Sequence, residues 1–334
     1  MRAMLIVRLG ALGDIIHALP MVAALRDRFP EAVIDWVVDE RHRDVLDLVP
    51  MLNHRIVLRT QSVPLVTRLR ALRRVLTRQR YDIAIDAQGL LKSAVVARLS
   101  GAGRVLGFAT PHLRERSAGV FYTERHDPGD ASAHVIHKNL ALAGALGSDV
   151  SRVRFPLELP PGGPEHTGAG GATDQGFVVL NPGAGWPNKQ WPAERFSAVA
   201  RWLRDTPGLR AVVTWGPGDE DLARAVVDGA GGAAELSPPT TIPELAGVVR
   251  RARLVVAGDT GPAHLAAALG TPVVGLYGPT DPARNGPWSP YDVAVSRFSR
   301  CQCRYRRRCR VATWCLGRLA VDDVTAAIAE RLGT

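Results

Sequence analysis

Twice along this chain, short apolar runs alternate with helix-length segments, and a break rich in proline and glycine separates the two rounds. In the first round, residues 4–9, 33–38, 56–58 and 81–86 read as strands. Residues 15–28 carry helical periodicity, with Ile16, Leu19, Ala23 and Ala24 among the apolar positions. Segments 41–48 and 90–99 are also helical, and Leu65, Leu69, Leu72 and Leu76 stripe a helix whose other faces carry arginine. The break spans residues 156–176 and includes Pro160, Pro161, Gly162, Gly163 and Pro164, the composition of a linker. The second round places strands at 177–180, 211–214, 254–257 and 273–276. Helices follow near 193–203, 220–227, 242–250 and 262–269, the last closed by Gly270. Near-continuous apolar strands separated by helices belong in parallel sheets covered on both faces. The expected fold class is therefore α/β, as two Rossmann-like doubly wound parallel-sheet domains facing a cleft. The expected boundaries are 1–160, a linker at 161–176, and 177–334. A chain of 334 residues is too long for one ordinary core, which agrees with two domains.

Ligands of doubly wound sheets bind at the carboxyl ends of strands, so the loops there carry the chemistry. Gly258-Asp259-Thr260-Gly261-Pro262-Ala263-His264 joins a strand to a helix N-terminus, where unpaired N–H groups and the helix dipole favour a phosphate. Asp259, Thr260 and His264 add side-chain contacts, although an Asp before a helix also serves as a plain N-cap. Asn181-Pro182-Gly183-Ala184-Gly185 is a second glycine loop, and it leads to Lys189, a cation able to offset a diphosphate. Trp215-Gly216-Pro217-Gly218-Asp219-Glu220 places a carboxylate where it could grip a ribose diol. In the first round, Gly10-Ala11-Leu12-Gly13-Asp14 follows the first strand and presents Asp14 either as a general base or as a cap. It is not the dinucleotide fingerprint, which disfavours a nicotinamide oxidoreductase. Asp86-Ala87-Gln88-Gly89-Leu90-Leu91-Lys92-Ser93 brings an acid, an amide and a cation to the same sheet edge. There, Asp86 faces either a polar substrate or the amides of its own turn.

Charge sharpens the class of partner. The net charge is +10, and the excess is local. Arg55, Arg59, Arg68, Arg70, Arg73, Arg74, Arg78 and Arg80 fall in one acid-free stretch, and Arg297, Arg300, Arg304, Arg306, Arg307, Arg308 and Arg310 fall in a second. Such patches suit polyanions: nucleic acid, anionic lipid headgroups or acidic sugars. No nucleic-acid-binding signature or interleaved aromatics accompany them, so no nucleic-acid partner is expected. No run reaches the length of a membrane span, and residues 4–9 are too short for a signal-peptide core, so a cytoplasmic protein is expected. All four cysteines lie in Cys301-x-Cys303, Cys309 and Cys315. In that compartment the clustering favours a structural zinc knot over disulfides, but the spacing lacks two clean knuckles. Zinc and reduced thiols both stay open, and no metal is assigned to the chemistry.

Together these segments resemble glycosyltransferase family 9, the ADP-heptose:lipopolysaccharide heptosyltransferases, over essentially the whole chain. The resemblance rests on Gly13-Asp14, on Ile34-Asp35-Trp36-Val37-Val38-Asp39-Glu40 and on the Asp86–Ser93 segment. Lys189-Gln190-Trp191-Pro192, Asp259–His264 and Gly278-Pro279-Thr280-Asp281-Pro282 complete it, and the pattern is nearest the heptosyltransferase I branch. It implies a GT-B fold and an inverting, metal-independent transfer of heptose from ADP-heptose to the Kdo-bearing inner core of lipopolysaccharide. By that resemblance Asp14 is the base, and the first domain holds the acceptor through Gly13, Arg59, Lys92 and Arg114. The second domain holds the donor through Lys189, Glu220, Asp259, Thr260, Gly261 and His264. The partners implied are an ADP-sugar and an anionic lipid A/Kdo acceptor, met peripherally at the inner membrane. Ala184 and Gly185 stand where that branch often has a hydroxyl pair, so another nucleotide sugar is the alternative donor.

Overall fold

The first apolar run becomes β1 (Ala3–Val7), every residue of which is buried. It is the centre of a parallel sheet in a computed structural model that describes residues 1–59, 65–159, 176–311 and 314–333. The linker expected over 161–176 lies outside the described residues except for Gly176, as do the side chains of Leu65 and Arg68. The chain divides into two units, Met1–Glu158 and Leu159–Thr334.

In the first unit, β1 leads into α1 (Leu12–Ile16) and α2 (Leu19–Arg28). The sequence pattern implied one helix here. Instead the chain breaks between Ile16 and Leu19, and Pro20 sits in the first turn of α2, where its missing N–H costs nothing. Next come β2 (Val33–Asp39), β3 (His54–Leu58), α3 (Leu65–Leu76), β4 (Ile83–Asp86) and α4 (Leu91–Leu99). The segment expected as a helix at 41–48 is wound instead as a 3-10 helix, Glu40–Leu48, begun by Asp39 accepting from the Arg41 N–H. β5 (Arg104–Phe108), β6 (Glu124–His126) and α5 (Val135–Gly144) complete the unit. The strand order is β3-β2-β1-β4-β5-β6, with every pair parallel. The order reverses direction between β1 and β4, so the loops after those two strands lie at the switch point where such sheets bind ligands.

The second unit repeats this plan. It runs β7 (Phe177–Asn181), α6 (Ala193–Asp205), β8 (Arg210–Val213), α7 (Glu220–Gly229), β9 (Ala234–Leu236) and α8 (Ile242–Arg251). β10 (Leu254–Gly258), α9 (Gly261–Leu269), β11 (Val273–Tyr277), α10 (Pro282–Asn285), β12 (Val293–Ser296) and α11 (Val321–Leu332) follow. The order β12-β11-β10-β7-β8-β9 is again parallel throughout and puts the switch point between β7 and β10. Val178, Leu180, Val256 and Val274 from the sheet pack with Phe196, Val199, Leu203 and Ile328 from its helices. Among the described residues no helix is long and apolar enough to cross a membrane.

Asp86, at the end of β4, is committed to the fold. Its carboxylate is buried and accepts from the Gln88 and Gly89 N–H groups at 2.8 and 3.2 Å, from Ser93 Oγ at 2.8 Å and from Tyr122 OH at 2.6 Å. Of the two uses open to Asp86, the structure takes the turn. Burial pushes the carboxyl up, against the pull of those donors. Gly107 makes room for the Tyr122 ring, since a Cβ there would meet ring atoms at 2.2 Å. Tyr122→Phe is expected to destabilise the protein by about 1.5–3 kcal/mol, because a buried charged acceptor loses one donor. Urea unfolding checks this, and a midpoint equal to that of the wild type would refute it.

Candidate functional site

At the switch point of the first unit, Asp14 is the third residue of α1, and its carboxylate sits between two guanidinium groups. Arg8, just past β1 and 3% exposed, approaches Asp14 Oδ1 with Nη2 at 2.8 Å. Its other terminal nitrogen donates to the Ala87 carbonyl. Arg114 Nη2 lies 3.3 Å from Oδ1 and 3.2 Å from Oδ2, and its side chain is 43% exposed. The Ala11 N–H reaches Oδ2 at 3.4 Å. Burial by itself pushes the Asp14 carboxyl up, but Arg8 and then Arg114 outweigh it and hold the group well below the usual carboxylate range. The loop bearing Arg114 is tied to the β4–α4 turn. Glu115 N–H donates to the Gly89 carbonyl at 3.1 Å, and Glu115 Oε2 accepts from Leu91 N–H at 2.7 Å.

The structure therefore brings Arg114 to Asp14. Gly13 is buried within α1 beside it. Lys92 is exposed in the first turn of α4 and acts on His42, whose ring fills the space where a Cβ on Gly10 would lie. Burial, more than Lys92 or Arg41, depresses the His42 pKa. Arg59 follows the carboxyl end of β3 and is highly exposed, with Glu40 4.0 Å away. Arg8 was missed in the sequence because it continues an apolar strand run. A charge in that position was the signal, since a buried guanidinium demands a partner.

At the switch point of the second unit, half-buried Lys189 pairs with buried Asp259, with Nζ 2.6 Å from Oδ2. The Asp259 carboxylate also accepts from His264 Nε2 at 3.0 Å and from Asn285 Nδ2 at 3.0 Å to each oxygen. Burial pushes this carboxyl up. The His264 hydrogen bond and the Lys189 charge reverse that and hold it far below its ordinary value. Lys189 Nζ also lies 4.5 Å from the centre of the Trp186 ring, a cation–π contact. Gly258 allows this packing, because a Cβ there would come within 2.9 Å of the Lys189 carbonyl.

Thr260 is the N-cap of α9 and Gly261 its first residue; the Thr260 side chain makes no capping hydrogen bond and donates to the Gly258 carbonyl at 3.3 Å instead. An anion there would meet backbone N–H groups, the positive helix end and the neighbouring ammonium together. Glu220 opens α7, is 42% exposed and accepts from Arg224 Nη2 at 2.5 Å. Asp219, which precedes it, packs so closely on Gly183 that a Cβ there would meet its Oδ2 at 2.2 Å. Burial raises its pKa. Asp219 stood in the Trp215–Glu220 segment of the sequence, whereas Asn285 was missed. Asn285 lies 26 residues from the carboxylate it holds, in a short helix with no signal of its own.

The cysteine segment supports this second site. Cys301, Cys303 and Cys315 are buried free thiols, Cys309 is half-buried, and Cys315 Sγ lies 3.2 Å from Cys301 Sγ. Among the described residues no group of three or more Cys, His, Asp or Glu is arranged to hold a metal ion. The segment instead grips both sides of Lys189. The Arg306 carbonyl accepts from Asn188 Nδ2 at 2.8 Å, and Trp314 Nε1 donates to the Gln190 carbonyl at 3.0 Å.

Residues 69–315 match the family model described as glycosyltransferase family 9 (heptosyltransferase). Lipopolysaccharide heptosyltransferase 1 of Escherichia coli K12 is 30% identical over 291 residues, covering 84% of this chain and 89% of that protein. The solved structure of E. coli heptosyltransferase WaaC with ADP superposes with a TM-score of 0.79 at 26% identity, covering 98% of this chain and 99% of the other. The structure of WaaC with ADP-2-deoxy-2-fluoro heptose gives a TM-score of 0.77 at the same identity and coverage.

Proposed function

This chain belongs to glycosyltransferase family 9, and on that premise we propose that it moves heptose from ADP-heptose, with inversion, to the Kdo-bearing inner core of lipopolysaccharide. The observation that carries the reading is the chemistry at the two switch points. One holds a carboxylate among guanidinium groups, suited to an acidic acceptor. The other holds an ammonium beside a helix N-terminus, suited to a diphosphate. In this reading the first unit takes the acceptor and the second the donor.

The acceptor hydroxyl gives its proton to Asp14 as its oxygen attacks the anomeric carbon. The bond from that carbon to the diphosphate oxygen breaks, and its electron pair leaves with ADP. Lys189, the Gly261 N–H and the α9 dipole stabilise the charge that develops there. Asp259 and His264 hold Lys189 in place, Thr260 shapes the turn, and Glu220 takes the ribose. Arg59, Lys92 and Arg114 meet the acceptor's acidic groups. The exposed Arg70, Arg73, Arg74, Arg78 and Arg80, beside buried Leu72 and Leu76, support peripheral contact of α3 with an anionic membrane surface.

A donor panel tests the reading: ADP-heptose, ADP-mannose and UDP-sugars, compared first by calorimetry and then by transfer to Kdo-lipid A. ADP-heptose should bind tightest and be the productive donor. Because Ala184 and Gly185 offer no hydroxyls, the panel also checks the sugar. Tighter binding and faster transfer with another nucleotide sugar would overturn the assignment.

A further inference from the structure

An acceptor hydroxyl that gives its proton to Asp14 must compete with donors already on the carboxylate. Both of its oxygens are engaged: Oδ1 by Arg8 and Arg114, Oδ2 by Arg114 and the Ala11 N–H. The two arginines are not equivalent. Arg8 is buried, makes the short 2.8 Å contact, and is fixed by its bond to the Ala87 carbonyl and by Trp36 Nε1 donating to its own carbonyl at 2.9 Å. Arg114 is 43% exposed, and its contacts of 3.2 and 3.3 Å are longer than a good charge-assisted hydrogen bond. Its backbone is held by the Leu113 and Glu115 N–H bonds on either side, so the side chain can move without the loop.

We propose that Arg114 determines acceptor specificity by covering Asp14 until an acceptor carboxylate draws its guanidinium away. The inference rests on the reading of Asp14 as the base. A sugar acid whose carboxylate lies beside the attacking hydroxyl offers Arg114 a bidentate partner. Once Arg114 transfers to that partner, one Asp14 oxygen opens to the hydroxyl, and the carboxylate regains part of its proton affinity. A neutral sugar leaves Arg114 where it is, and Asp14 stays covered. The other charged or titratable groups around Asp14 are Arg8 from the end of β1, His17 at the end of α1 and His42 from the 3-10 segment. Asp86 lies behind Arg8. Arg8 and His17 are buried, and His42 is half-buried, so Arg114 is the exposed cation an acceptor can recruit.

The test compares pH profiles with a Kdo-bearing acceptor and with its methyl ester, in wild-type enzyme and in Arg114→Gln. Removing a positive neighbour raises a carboxyl pKa, so with the acid acceptor the acidic limb of wild-type kcat should lie about one pH unit above that of kcat/KM. Arg114→Gln should bring the two limbs together and narrow the preference for acid over ester at least tenfold. Titration of the Asp14 carboxyl carbon by NMR, with and without the free sugar acid, reads the same change without turnover. Coincident limbs in the wild type, or an Asp14 titration unmoved by the sugar acid, would overturn the proposal. A rise in KM alone in Arg114→Gln would reduce Arg114 to a binding residue. Failure of the base reading shows separately, as retained turnover in Asp14→Asn.

Discussion

Asp14→Asn is expected to cut transfer by about 10²–10⁴-fold while leaving ADP affinity close to wild type, the range set by loss of a positioned general base. The exchange preserves size and keeps one oxygen beside Arg8 Nη2. What it removes is the charge and the capacity to take a proton. Arg8 is almost fully buried, so losing its counter-ion has a folding cost as well. A buried pair broken outright costs about 3–5 kcal/mol, and the retained amide oxygen should reduce that. Activity is therefore compared at matched folded fraction, with urea unfolding alongside. Asp14→Ala should lose as much activity and more stability, because it leaves the buried guanidinium with the Ala87 carbonyl but no carboxylate or amide oxygen beside Nη2. Full turnover by either variant would remove Asp14 from the chemistry.

The parts of this molecule that were legible in its sequence are those set by local pattern. β1, β4, β7, β10 and β11 were all found because strands buried on both faces must be apolar throughout. Their following loops then lie at the strand ends by necessity, which is how Asp14, Lys189 and Asp259 are legible in the sequence. β5 was missed because it begins with Arg104 and contains Gly107, and β6 because Glu124-Arg125-His126 has no apolar residue. Both are held by neighbours rather than by their own composition. The pairings between site residues failed to show for a related reason. Arg114 meets Asp14 across 100 residues, and Lys189 meets Asp259 across 70, distances over which no periodicity carries information. The motif Asp86–Ser93 was visible as a motif, but the buried Tyr122 that decides its use was not.

Lys189→Ala is expected to weaken ADP and ADP-sugar binding about 10- to 100-fold, the loss of one charge-assisted contact worth about 1.5–3 kcal/mol. The variant also exposes what Asp259 is for. With Lys189 gone, the Asp259 carboxylate keeps His264 and Asn285 but loses its nearest positive charge. Asp259 has a depressed pKa in the folded protein. Its stabilising contribution is therefore present above the ordinary carboxylate range and lost as pH falls towards the folded value. Removing Lys189 lets that pKa climb back, so the variant should be less stable at neutral pH, and its remaining dependence on Asp259 should fade at a higher pH than in the wild type. Lys189→Arg retains the charge but must fit a planar head where a compact ammonium sits at 2.6 Å, between the Trp186 ring and a carboxylate. It should recover stability better than affinity. Unchanged calorimetric affinity for ADP in Lys189→Ala, alongside the expected loss of stability, would make this pair a structural bridge and leave the α9 N-terminus alone to receive the diphosphate.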